Sequence, residues 1–180
     1  MTFIKYIAAG QGALTLCCLF YSAWWYVAYN PKPIENILSS KAGLLFWITF
    51  ICGLVGVYLN IYGIRNLADV KPICLFGGIA YIVLLATTFL IFNRPVTAEL
   101  FLIVAWATLE TSAIFAAYGN FSTIPMLTVA AATIFAMVAY LLYYNVDDLK
   151  AFYLGLLPLT VDAAGSAIIL FSLISKFAEK

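Results

Sequence analysis

Two carboxylates, Glu110 and Asp162, stand inside long apolar stretches that hold no Lys, Arg or His of their own. The other acids, Glu35, Asp69, Glu99, Asp147, Asp148 and Glu179, fall in or beside short polar breaks or at the tail, where water solvates them cheaply. A charged side chain at the centre of a bilayer costs at least about 3 kcal/mol on insertion scales, so an acid placed there implies a proton, a cation, a polar solute or a partner residue. Two such acids in unequal surroundings can also divide labour as general acid and general base. These residues define the site to be explained, and the helices that carry them decide whether they can meet.

Those helices follow from composition. Of 180 residues, 66% are hydrophobic and only 9% charged, which places the chain among integral membrane proteins. Crossing about 30 Å of hydrocarbon takes roughly 20 apolar residues at 1.5 Å rise each. The sequence supplies runs at about 8–29, 43–64, 73–93, 97–118, 124–145 and 152–175, joined by short links. The expected fold is all-α: one domain over 1–180, a bundle of about six transmembrane helices. A membrane β-barrel would instead show alternating segments of about ten residues. Asn30-Pro31-Lys32-Pro33, Lys71-Pro72, Arg94-Pro95, Tyr118-Gly119-Asn120 with Pro125, and 145–150 punctuate the runs. The first run carries Gln11, Thr15 and Ser22 and ends in an aromatic cluster, so it is expected to be a retained helix rather than a cleaved signal peptide.

Six crossings put both termini on one side. The terminal face then holds Lys5, Arg65, Lys71, Lys176 and Lys180 against Lys32, Lys41, Arg94 and Lys150 on the other, which favours cytoplasmic termini. Trp24, Trp25, Tyr26 and Tyr29 fit an interfacial aromatic belt. A net charge of +1 without a basic cluster gives no reason to expect nucleic acid, and the bilayer is the expected partner.

Several chemistries drop out. The absence of histidine removes bis-His haem, His-ligated metals and Ser-His triads. Cys17, Cys18, Cys52 and Cys74 lack the spacing of a redox motif or a zinc site, and Cys17-Cys18 is expected to be ordinary apolar helix surface. No phosphate-binding or dinucleotide-binding glycine motif occurs. No cofactor and no metal are expected.

Helical periodicity then orients the spans. One face of the first carries Gln11, Thr15, Cys18, Ser22, Trp25 and Tyr29, and one face of the second carries Thr49, Gly53, Gly56, Asn60 and Gly63. Cys74, Gly77, Tyr81 and Thr88 align on the third, and Thr128, Ala132, Ala136, Tyr140 and Tyr143 on the fifth. Close helix packing through small residues accounts for such stripes, and a solute path would use the same faces. Glu110 shares its face with Trp106, Ala107, Ala113 and Ala117, while Asp162 shares one with Gly155, Gly165, Ser166 and Ile169. The fourth and sixth spans run the same way, and the acids lie within about 5 Å in depth at 1.5 Å per residue.

Thr108, Thr111 and Ser112 near Glu110, and Thr160 and Ser166 near Asp162, offer hydroxyl partners. Pro158, four residues before Asp162, is expected to kink its helix and free a carbonyl. A short echo, Ser22-Ala23…Ala28-Tyr29-Asn30 against Ser112-Ala113…Ala117-Tyr118…Asn120, fits two inverted three-helix repeats.

The expected function is a small-solute transporter or channel, proton- or cation-linked, binding its solute through Glu110, Asp162, Trp106, Ser166, Asn60, Tyr81 and Tyr140. Two alternatives stand beside it. One is a membrane enzyme acting on a lipid or isoprenoid, with Glu110 and Asp162 as its acid and base. The other is a packing subunit of a larger complex, whose acids meet charges on a neighbour.

Overall fold

A computed structural model describes residues 2–29, 40–90, 96–119, 123–144 and 149–178. It contains six helices: α1 (Thr2–Tyr29), α2 (Ser40–Ile64), α3 (Lys71–Leu90), α4 (Val96–Tyr118), α5 (Thr123–Tyr144) and α6 (Leu149–Ala178). Each apolar run forms one helix. The first begins six residues before its expected start, because nothing between Thr2 and Ile7 breaks a helix and only Lys5 is charged. Five of the helices are long and apolar enough to cross a membrane, and the described apolar stretch of α3, Lys71–Thr87, is shorter. The polar links 30–39, 91–95, 120–122 and 145–148 lie outside the described residues, as do the side chains of Tyr29, Thr88 and Tyr143 and the surroundings of Gly155.

The helices form a ring in chain order, each packed on the next and closed by α1 against α6. α4 additionally reaches α1, α2 and α6 across the interior, and it is the most enclosed of the five long spans. Consecutive helices run antiparallel. Gly10 of α1 approaches Asn60 and Gly56 of α2, while Phe3 and Ile7 meet Gly63 a few turns along. A Cβ at Gly10 would lie 2.5 Å from Asn60 Nδ2 and 3.0 Å from the Gly56 carbonyl oxygen, so this seam is a backbone-to-backbone contact that only glycine permits. α4 and α6 run parallel: Trp106 meets Ser166, and Tyr118 meets Ser172. The start of α1 and the end of α6 therefore lie at the same end of the bundle.

The stripes face inward. Thr49, Gly53, Gly56, Asn60 and Gly63 are all buried, as are Cys74, Gly77 and Tyr81, and Ala132, Ala136 and Tyr140. The outward faces carry large apolar side chains such as Phe76, Ile124, Phe135 and Phe171, which are the surface lipid would cover. The aromatic cluster at the end of α1 departs from expectation. Trp24 and Trp25 are buried while Tyr26 is turned outward, because adjacent helical residues point about 100° apart and α1 is enclosed on two sides by α2 and α6. α4 ends in a left-handed cap: Gly119 has φ 72°, and its N–H donates to the Phe115 carbonyl at 2.8 Å. Lys176 of α6 completes that end, with Nζ donating to the Ala117 carbonyl at 2.6 Å and lying 4.0 Å from the centre of the Tyr118 ring.

Candidate functional site: a buried carboxylate pair

Spacing within α4 and α6 builds the centre of the site. Trp106 and Glu110 are four residues apart on α4, and Asp162 and Ser166 are four apart on α6, so each pair occupies one helix face, one turn above the other. Gly165 lets the two faces close. A Cβ there would come within 2.8 Å of the Trp106 ring, so the absence of a side chain is what admits the indole against α6.

Across this contact Trp106 Nε1–H donates to Ser166 Oγ at 2.9 Å, and Ser166 Oγ–H donates to Glu110 Oε1 at 2.8 Å. One hydroxyl thus joins the indole to the carboxylate, and its single proton fixes the direction of the relay. Glu110, Ser166 and Trp106 are 0% exposed and Asp162 4%. Asp162 lies within electrostatic range of Glu110, one turn of α6 from Ser166.

A second polar arm comes from α1 and α2. Asn60 Nδ2 donates to the Gly56 carbonyl at 2.8 Å, and its Oδ1 accepts from Gln11 Nε2 at 3.3 Å. The Gln11 side chain is turned toward the Glu110 carboxyl. A third arm is sulfur-rich: the Tyr81 hydroxyl lies 3.6 Å from Cys17 Sγ and 3.8 Å from Cys18 Sγ, and Cys18 is within electrostatic range of both acids.

Of the residues expected at the site, Glu110, Asp162, Trp106 and Ser166 come together directly. Asn60 joins them through Gln11, and Tyr81 stands behind Cys17 and Cys18. Tyr140 is buried on α5, which packs against both α4 and α6.

Two expectations are corrected. Thr108 and Ser112 spend their hydroxyls on carbonyls of their own helix, Val104 and Thr108, as helical Ser and Thr commonly do, and so they do not serve Glu110. Thr160 is exposed and bonds the Leu157 carbonyl. α6 continues as one helix through Pro158, which is buried and, having no N–H, cannot bond the carbonyl one turn before it.

Gln11, Cys17 and Cys18 were missed as site residues. For Gln11 the signal was present: it is an amide alone on an apolar helix, on the same stripe as Cys18. The cysteines gave none, because a thiol that packs and a thiol that bonds are the same letter at the same spacing.

An apolar groove of about 190 Å³ opens where α3 begins beside the end of α4, lined by Asp69, Val70, Ile73, Thr111, Ser112 and Phe115. It lies on the far side of α4 from the Trp106–Ser166 contact.

Apolar helices of membrane-crossing length, wrapped around two buried acids, define a multi-pass integral membrane protein with a polar centre in its core. No protein-family model, curated protein or solved structure matches the chain.

Proposed function

We propose that this protein is a small-solute transporter or channel, proton- or cation-linked, whose binding site is built on Glu110 and Asp162. One observation carries the proposal. Both acids are buried, and Glu110 Oε2 and Asp162 Oδ1 each lack a hydrogen-bond partner among the described residues. A carboxyl kept only to bond two helices would have its buried oxygens satisfied, because an orphaned buried acceptor costs about 1–3 kcal/mol. The bond from Ser166 does that for Glu110 Oε1 and leaves Oε2 without one.

In this proposal Trp106 and Ser166 hold the Glu110 carboxylate in place, Asn60 orients Gln11 beside it, and Tyr81 and Tyr140 supply aromatic walls. α3 is the sixth crossing: its 20 residues reach about 30 Å, and it packs between α2 and α4. Both termini then face the cytoplasm, and α1–α3 and α4–α6 form two units inverted in the membrane.

The test is flux in proteoliposomes under an imposed proton gradient, with Glu110→Gln and Asp162→Asn beside the parent chain. Each amide keeps the shape of a neutral acid and removes its exchangeable charge. The expected result is folded protein whose flux is lost, or whose dependence on pH is flattened. Unchanged flux with an unchanged pH profile in both variants would make the acids structural.

A further inference from the structure

Three buried oxygens on three helices lack a donor among the described residues: Gln11 Oε1 on α1, Glu110 Oε2 on α4 and Asp162 Oδ1 on α6. Gln11 is 0% exposed, and the orientation of its amide is fixed by its neighbours. Asn60 must turn Nδ2 to the Gly56 carbonyl, which leaves Oδ1 to accept from Gln11 Nε2, so the free atom of Gln11 is its oxygen. Glu110 is the common neighbour, with Gln11 turned toward it on one side and Asp162 in electrostatic range on the other.

The protein's own donors nearby are committed: the Ser166 proton to Glu110, the Trp106 proton to Ser166, the Gln11 amide protons to Asn60 and toward the Glu110 carboxyl, and the Tyr81 hydroxyl and the Cys17 and Cys18 thiols to one another. The described cations are elsewhere. Lys5, Arg65 and Lys71 are exposed, and Lys176 is bonded to the end of α4.

We infer that Gln11 Oε1, Glu110 Oε2 and Asp162 Oδ1 form an acceptor-only site for a small ammonium-class cation, ammonium itself or the head of a primary amine. The inference rests on the proposed transport function and names its substrate class.

The acceptors select the ligand. An anion finds no uncommitted donor there. Calcium takes six to eight oxygens and magnesium a near-ideal octahedron, so either would have to carry several waters into the apolar core to complete three protein oxygens. A quaternary ammonium has no N–H to give and is held instead by aromatic faces. A primary ammonium carries three N–H donors and one positive charge, which matches three acceptors beside two acids with no counter-cation.

The experiment uses the full chain in detergent micelles and radiolabelled methylammonium as the probe. Binding is measured at constant ionic strength in competition with ammonium, sodium, potassium and tetramethylammonium chlorides, and thermal unfolding is followed in the same salts. The expected result is saturable binding near one methylammonium per chain, displaced by ammonium and not by the other three. Tm should rise by about 5–10 °C at about a hundredfold excess over Kd. Asp162→Asn and Glu110→Gln should each weaken binding at least about tenfold while still unfolding cooperatively, and Gln11→Met should weaken it less.

Equal displacement by sodium or potassium, or undiminished binding in both amide variants, overturns the inference. So does the absence of methylammonium binding. If pH-dependent flux nevertheless requires Glu110, the site carries protons alone and the transport function stands. Selective binding without any flux supports the site and rejects transport.

Discussion

Ser166→Ala is the most incisive perturbation of this core, because one hydroxyl serves two partners. The substitution removes a single oxygen and leaves almost no new cavity, so the cost is one of hydrogen bonding. The bonds lost are those at 2.9 Å from Trp106 and 2.8 Å to Glu110. At the average of about 0.6 kcal/mol for interhelical bonds in membranes the pair is worth about 1.2 kcal/mol. Leaving the Trp106 N–H and Glu110 Oε1 buried without partners pushes the figure up, since each orphaned group costs about 1–3 kcal/mol unless the helices relax around it.

A destabilisation of about 2 kcal/mol follows, or a fall in Tm of about 4–8 °C for a chain of this size. Equilibrium unfolding in mixed micelles gives the free energy directly. A cycle with Trp106→Phe isolates the indole bond, because phenylalanine keeps most of the packing and lacks the N–H. The cycle should show a coupling of about 0.6–1 kcal/mol. A loss below about 0.5 kcal/mol for Ser166→Ala, or a coupling indistinguishable from zero, would refute the relay and with it the idea that Ser166 holds Glu110 in place.

Three further outcomes are expected. Gly10→Ala should destabilise by about 2 kcal/mol or more, because its Cβ meets the Gly56 carbonyl and the Asn60 amide. Gly12→Ala, whose Cβ finds only Leu170 Cδ2 at 3.8 Å, should stabilise by about 0.5–1 kcal/mol through helix propensity, and opposite signs in one unfolding assay check the α1–α2 seam. Reporter fusions at the two ends of the chain should report the same side of the membrane, whereas opposite sides would mean that α3 does not cross.

The helices were legible in the sequence because lipid leaves the backbone no alternative. A run of apolar letters between Pro- and Asn-rich breaks fixes a helix to within a few residues, as α2 to α6 show. The inward faces were legible from the small-residue period, and Glu110 and Asp162 were legible as acids without an alibi. What periodicity does not carry is which partner a polar side chain chooses. Ser112 and Ser166 look alike on paper. Ser112 turns to its own helix, whereas Ser166 faces Trp106 across the gap at Gly165, and that difference lies in the packing of α4 on α6. The same holds for Trp24 and Trp25: a Trp-Trp-Tyr cluster at a helix end reads as interfacial until the bundle around it is known.

A ring of helices in chain order also sets a timetable. Every helix finds its first neighbour in the one just made, except that the last must close the circle. Ser166 follows Glu110 by 56 residues. At about 5–20 residues per second of synthesis, Glu110 therefore exists for about 3–11 seconds before its partner on α6 has been made. During that interval the carboxylate has Gln11 on one side and an open flank where α6 will later sit. A chain halted before its sixth helix would carry an acid facing lipid. The arrival of α6 is therefore the event that closes the bundle around Glu110.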